Sequence, residues 1–239
     1  MQTGLYVAVS GQLALDRRMA AIANNVANAG TAGYRAEETH FETIVSRRST
    51  QPTAFSSTGV SYLSSRAGGI TLTGNPLDVA VQGDGWLAIQ TPSGTAYTRD
   101  GRMRMTAEGE LQTLNGFPVL DAGGSALFLD PTAKTIAIAR NGTIALDGKP
   151  AGTLGLFRVD LSQGYARTEN SAIVPTRAAE AIASFTSDGF AQGHIEGANV
   201  NSVFEMTRLI AVTRSFERLQ AAIDESQSAL KNAIQTLGA

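Results

Sequence analysis

Two histidines, a Ser-Gly pair and a glycine-rich turn are the places where this 239-residue chain invites a chemical reading. His40 stands in a polar stretch and His194 follows Gly193, neither near a second His or a pair of carboxylates at the spacing a metal ion needs. Ser10-Gly11 lies within Ala8-Val9-Ser10-Gly11-Gln12, on a helical pattern rather than at the strand-to-helix turn that exposes a nucleophilic serine. Gln82-Gly83-Asp84-Gly85 could cradle a phosphate or calcium, but no helix opens after it and the acidic ligands of a calcium loop are missing. It reads as a hairpin turn. The chain has no cysteine, which excludes disulfides, thiolate zinc sites and cysteine nucleophiles. No catalytic residue, metal site or cofactor is expected, because an enzyme would need a convergent polar cluster.

Composition narrows the partners. A 43% hydrophobic, 17% charged chain is ordinary for a globular protein. The net charge of −2, with basic residues scattered, argues against nucleic acid. The opening residues lack a basic segment followed by an apolar one, so export would use a route that reads no cleaved signal peptide. No apolar run approaches the ~20 residues of a membrane span, and direct membrane insertion is not expected.

The elements that would position any site are helices at the two ends and strands between them. In the first predicted helix, Leu5–Asn28, residues Leu5, Ala8, Gln12, Leu15, Met19, Ile22 and Val26 recur at spacings of three and four. In the second, Asn201–Leu237, the stripe is Leu209, Val212, Phe216, Leu219, Ile223, Ser226, Leu230, Ala233 and Leu237. Both stripes are free of charge, as a coiled-coil seam requires. Helices packed on their own domain's core would show the same stripes, but the middle offers no matching helical partner. Gly30 is placed to close the first helix in a left-handed conformation. Asn201 or Ser202 is placed to cap the second, with Glu205 able to complete a capping box with Ser202.

Between the helices, Asp84-Gly85, Asp100-Gly101, Asn115-Gly116, Asn141-Gly142 and Asp147-Gly148 supply the positive φ that tight hairpins favour. The runs Leu77–Val81, Trp86–Gln90, Ala96–Thr98, Met103–Thr106, Leu111–Thr113, Phe117–Leu120, Ile136–Ala139, Thr143–Leu146 and Leu154–Val159 are strand candidates. The expected fold is α+β, a mostly antiparallel β-domain inserted between N- and C-terminal helices that pair as a coiled coil. The expected division is a helical assembly segment over 1–33, an extended connector over 34–68, an all-β domain over 69–175, a connector over 176–200 and a second helical assembly segment over 201–239.

Three motifs carry a family resemblance. Ala23-Asn24-Asn25-Val26-Ala27-Asn28 with Thr31, Gly33, Tyr34 and Arg35 resembles the N-terminal signature of flagellar rod and hook proteins. Gly74-Asn75-Pro76-Leu77-Asp78-Val79-Ala80-Val81-Gln82-Gly83-Asp84-Gly85-Trp86, with Tyr97-Thr98-Arg99-Asp100-Gly101, is similar to the opening of that family's central β-domain. Glu196 to Val203, with Glu205-Met206, resembles the start of its C-terminal helix. The family usually has Leu, Phe and Lys where this chain has Val26, Tyr34 and Arg35, and a second aromatic where it has Leu87. Length and the opening Leu5 to Gly11 look most like the proximal rod members, with the distal rod as the alternative.

The resemblance implies a structural subunit of the flagellar basal body that polymerises helically into the periplasm-crossing rod, transmits torque and surrounds the export channel. It implies neighbouring copies and other rod proteins as partners, delivery by the flagellar type III export apparatus, and no cofactor. The assembly interface expected from stripes and motifs together is Leu5, Leu15, Met19, Ile22, Asn24, Asn25, Val26, Asn28, Asn199, Asn201, Leu209, Val212, Phe216, Leu219, Ile223, Leu230 and Leu237. A monomeric carbohydrate-binding β-module, using an exposed Trp86 and Tyr97, stands as the alternative of another class.

Overall fold

A computed structural model describes residues 2–46, 53–57, 59–169 and 171–237, without the side chains of 2–5, 43, 46, 53–56, 230, 234 and 237. The chain divides into two compact units, one made of Met1–Ala27, Glu37–Tyr62 and Asn201–Ala239, the other of Asn28–Ala36 and Leu63–Val200.

The first unit holds helix α1 (Gln2–Ala27), strands β1 (Glu37–His40), β2 (Thr43–Ser46), β3 (Thr53–Ser56) and β4 (Val60–Leu63, whose last residue belongs to the second unit), and helix α2 (Ser202–Leu237). β2 and β3 pair antiparallel in the register Thr43↔Ser56 to Ser46↔Thr53. α2 opens where Asn201 Oδ1 accepts the Phe204 N–H at 3.1 Å, a side-chain cap on an otherwise unpaired amide. Asn201, not Ser202, is therefore the cap. Glu205 completes no capping box, since its Oε1 takes Arg208 at 2.9 Å.

The second unit is built from β5 (Ile70–Leu72), β6 (Val79–Gln82), β7 (Trp86–Thr91), β8 (Gly94–Thr98), β9 (Met103–Met105), β10 (Leu111–Thr113), β11 (Ile136–Ile138), β12 (Thr143–Leu146), β13 (Lys149–Thr153), β14 (Leu156–Arg158), β15 (Tyr165–Arg167), β16 (Ile173–Pro175), β17 (Glu180–Ala181), β18 (Gly189–Gln192) and β19 (His194–Glu196). Six of them form one sheet in the order β15-β16-β8-β7-β14-β17. β7 is its centre and is buried on both faces. Leu87 and Ile89 join the main core with Val79, Leu111, Ile144 and Leu154, while Trp86 and Ala88 on the other face join smaller clusters with Ile173 and Phe157. Strict alternation of side chains along a strand makes this possible. Each fully buried Leu or Ile of that core contributes roughly 1.5–3 kcal/mol.

Turn chemistry divides the glycines. Asp147-Gly148 takes φ 48° and 79° between β12 and β13, and Gly116 and Gly142 lie at φ 86° and 82°, as expected of hairpin turns. Gly85 and Gly101 do not adopt positive φ; they are glycine because a Cβ would collide with Leu156 and with the Val79 carbonyl oxygen. Gly30 is likewise not left-handed, and the positive φ after α1 falls on Gly33 at 67°.

The expected class is corrected. Among the described residues strands outnumber helices nineteen to two, so the chain is mostly β, and the two helices do not pair as a coiled coil. They do touch. Gln12 Nε2 donates to Gln220 Oε1 at 2.7 Å and Thr213 Oγ1 lies 3.6 Å from Met19 Sδ, two contacts whose order shows that the helices run antiparallel. A coiled-coil seam hides an apolar stripe along its length. Here Ile22, Val212 and Ile223 are buried, Leu15, Met19, Val26, Leu209, Phe216 and Leu219 stay half-exposed, and a glutamine pair occupies the contact.

Candidate functional site

The residues expected to form an assembly surface separate into two groups. Apart from Leu5, Leu230 and Leu237, whose side chains lie outside the described ones, the apolar members all sit in the helical unit. Four of the five asparagines, Asn25, Asn28, Asn199 and Asn201, bond within the chain. Asn25 is buried and closes a two-way clamp on β1, its Nδ2 donating to the Glu37 carbonyl at 2.9 Å and its Oδ1 accepting the Glu37 N–H at 2.8 Å. Asn28 accepts Thr31 through both its carbonyl, at 3.0 Å, and its side chain, at 3.2 Å. Asn199 accepts the Ala36 N–H at 2.6 Å and donates to the Arg66 carbonyl at 2.7 Å. Asn24 is exposed on α1.

In the β unit the Asn199 bonds belong to a denser lock. Residues 33–36 and 196–199 run beside each other, tied by Gly33 N–H to the Glu196 carbonyl at 2.8 Å and by Asn199 N–H to the Tyr34 carbonyl at 3.2 Å. Beneath them lies a charged cluster that the sequence did not suggest. Glu196 takes Arg99 Nε on one carboxylate oxygen at 2.6 Å, and Arg35 at 3.0 Å and the Gly68 N–H at 2.8 Å on the other. Arg99 is 1% exposed and spends its other donors on the carbonyls of Val81, Gly83 and Gly85. Two guanidiniums thus share one fully buried carboxylate. Burial, and the neighbouring Arg99 charge, lower the Arg35 pKa to about 10 against the opposing pull of Glu196. Arg167 covers Tyr34, its guanidinium 4.6 Å from the ring centre, and donates to the Arg35 carbonyl at 2.8 Å. The one sequence signal for this lock was that Arg35, Arg99 and Glu196 each fall inside one of the three motifs.

His40 is exposed and His194 uses Nδ1 on the Gln192 carbonyl at 2.7 Å. Among the described residues no group of acidic or histidine side chains could hold a metal ion. Trp86 is buried and Tyr97 half-buried against Phe157, which removes the exposed aromatic pair that a carbohydrate-binding module would present. No described helix is long and apolar enough to cross a membrane.

The two locked segments and the β unit between them coincide with regions that match known families. Residues 5–35 match the flagella basal body rod protein family, residues 80–146 the flagellar hook protein FlgE/F/G D1 domain, and residues 191–236 the flagellar basal body rod FlgEFG protein C-terminal family. The flagellar basal-body rod protein FlgF of Mesorhizobium japonicum is 46% identical over 100% of this chain and 99% of its own length. The chain belongs to the flagellar basal-body rod protein family. The FlgF proteins of Rhizobium meliloti and Caulobacter vibrioides are 42% and 32% identical over the same shares. The rod-family match at 5–35 ends on the first arm of the lock, and the C-terminal match begins within β18, just before its second arm.

Proposed function

We propose that this chain is a structural subunit of the flagellar basal-body rod, in its proximal part, and performs no catalysis. The observation that carries this reading is the 46% identity to a FlgF protein over the whole of both chains. In this reading it polymerises helically with copies of itself and neighbouring rod proteins, and reaches the rod through the flagellar type III export apparatus without loss of its N-terminal segment. The stripes Leu15, Met19, Ile22 and Val26, and Leu209, Val212, Phe216, Leu219 and Ile223, are the proposed assembly faces, and the segments 1–33 and 201–239 the assembly segments. The half-exposed members Leu15, Met19, Val26, Leu209, Phe216 and Leu219 suit that role, because they still have surface to remove from water when a neighbour arrives. Subunits joined by a heterologous contact form a filament rather than a closed ring. The test is complementation of a strain lacking this gene. The restored protein should co-purify with basal bodies, uncleaved, and swimming should return. Wild-type protein absent from purified basal bodies, or a strain that swims without it, overturns the reading.

A further inference from the structure

A pocket of about 210 Å³ opens in the β unit beside the buried charge cluster, walled by apolar Leu63, Trp86, Val159 and Leu161 and by polar Arg35, Ser64 and Asp84. Its apolar wall belongs to a small core cluster in which Leu63 and Trp86 pack with Val159 and Leu161. Two polar groups of the wall lack partners. Arg35 is 5% exposed and gives donors to Glu196 at 3.0 Å and to the Ser65 carbonyl at 3.2 Å, but its Nε, covered from water, meets no acceptor. The Ser64 hydroxyl, on a residue 7% exposed, bonds no group among the described residues. Folded proteins rarely leave buried donors unserved without a ligand, ion or water to take them.

Charge decides what such a pocket accepts. Arg35 and Arg99 share the single carboxylate of Glu196, so the buried cluster has one positive charge in excess. Arg99 also lies 6.0 Å from the Trp86 ring centre, so the aromatic wall already has its cation and a second would be repelled. Burial and Arg99 oppose the Arg35 charge, and Glu196 and Asp84 support it only in part. Asp84 stands exposed in the Gly83–Gly85 turn, where water weakens its hold on Arg35. Its charge works against a multiply charged anion such as phosphate more than against a single carboxylate. We infer that this pocket binds a compact monocarboxylate with an apolar body, the carboxylate against Arg35 and the Ser64 hydroxyl and the body on Trp86, Val159 and Leu161. The volume is below the ~300 Å³ at which pockets for drug-sized ligands begin, so the body is about the size of one aromatic or branched side chain. A free acid and the carboxyl terminus of a peptide present the same chemistry.

Trp86 is the only tryptophan, so its fluorescence in the full-length protein reads the wall of the pocket. Phenylacetate should change that fluorescence saturably. Phenylacetamide and phenethylammonium, of similar shape but neutral and cationic, should bind about tenfold or more weakly, because neither brings the negative charge. Arg35→Met should weaken phenylacetate by about the same factor, and Ser64→Ala severalfold. Asp84→Asn, on the exposed rim, should tighten it, a gain that damage to the fold would not produce. Displacement of phenylacetate by acetyl-Ala-Ala-Phe with a free carboxyl terminus, but not by its amide, assigns the site to a carboxylate carried on a partner chain; phenylacetate bound without such competition assigns it to a free acid. The amide or the amine binding wild type as tightly as the acid overturns the inference. So does the absence of binding by phenylacetate and by the peptide acid in both fluorescence and calorimetry, or an Arg35→Met variant that melts cooperatively and binds phenylacetate as wild type does.

Discussion

Replacing Glu196 by glutamine keeps the shape of the buried cluster and removes the carboxylate that Arg35 and Arg99 share. Glu196 is 2% exposed and receives three donors, at 2.6, 2.8 and 3.0 Å. In Glu196→Gln one amide oxygen still accepts, but the amide NH2 faces a guanidinium and the two buried cations lose the carboxylate between them. Breaking a buried ion pair from one side costs about 3–5 kcal/mol, and the retained acceptor places this case near the lower end. With roughly 2–4 °C per kcal/mol for a unit of this size, the melting temperature should fall by about 6–12 °C. Removing Arg35 instead leaves Arg99 and Glu196 as a matched pair. Because burial and Arg99 already oppose its charge, Arg35→Met should cost only about 1 kcal/mol. Urea unfolding of the full-length protein, followed by tryptophan fluorescence of the buried Trp86, measures both variants against wild type. Glu196→Gln within about 1 kcal/mol of wild type, or Arg35→Met as costly as Glu196→Gln, would refute the shared-carboxylate account.

The same cluster predicts a pH signature. Burial holds the Arg35 pKa at about 10, well below that of a free arginine, so as pH falls from the strongly alkaline side the unfolded chain takes up that proton first and folding loses stability until about 10. The stability of wild type relative to Arg35→Met should therefore be flat below pH ~9 and move in favour of wild type on going to pH ~12; a flat difference throughout would exclude the depressed pKa. Gly33→Ala should unfold the β unit at ordinary temperature or cost more than about 4 kcal/mol, because φ is +67° and a Cβ would overlap the Asp100 backbone nitrogen and the Arg99 carbonyl carbon. Normal melting of that variant would show that the turn can move. Phe216→Asp, at a half-exposed position of α2, should leave the β unit's melting unchanged while lowering incorporation into basal bodies, measured by immunoblot; wild-type incorporation would remove that face of α2 from the assembly surface.

Local periodicity determined much of this protein. Spacings of three and four marked α1 and α2, predicted as Leu5–Asn28 and Asn201–Leu237 and found at Gln2–Ala27 and Ser202–Leu237, because a helix imposes its period on every turn. Apolar runs between turn residues located β7, β12 and β14, and Asp147-Gly148 announced its hairpin, since positive φ selects a few residue types. The motif residues likewise pointed to the family. Tertiary structure decided what short or polar segments do. β1, β5, β15 and β17 are two to four residues long with no buried position, so they carry no alternating signal, and only the backbone that comes to lie beside them makes them strands. The coiled coil failed for the converse reason: a stripe shows which face is apolar but not how deeply a partner covers it. Arg99 and Glu196, separated by 97 residues, carry no local signal of burial, because an isolated charge ordinarily belongs in water. They are buried because folding brings carbonyls, an amide and opposite charges to the same point, where each offsets the other's loss of solvent.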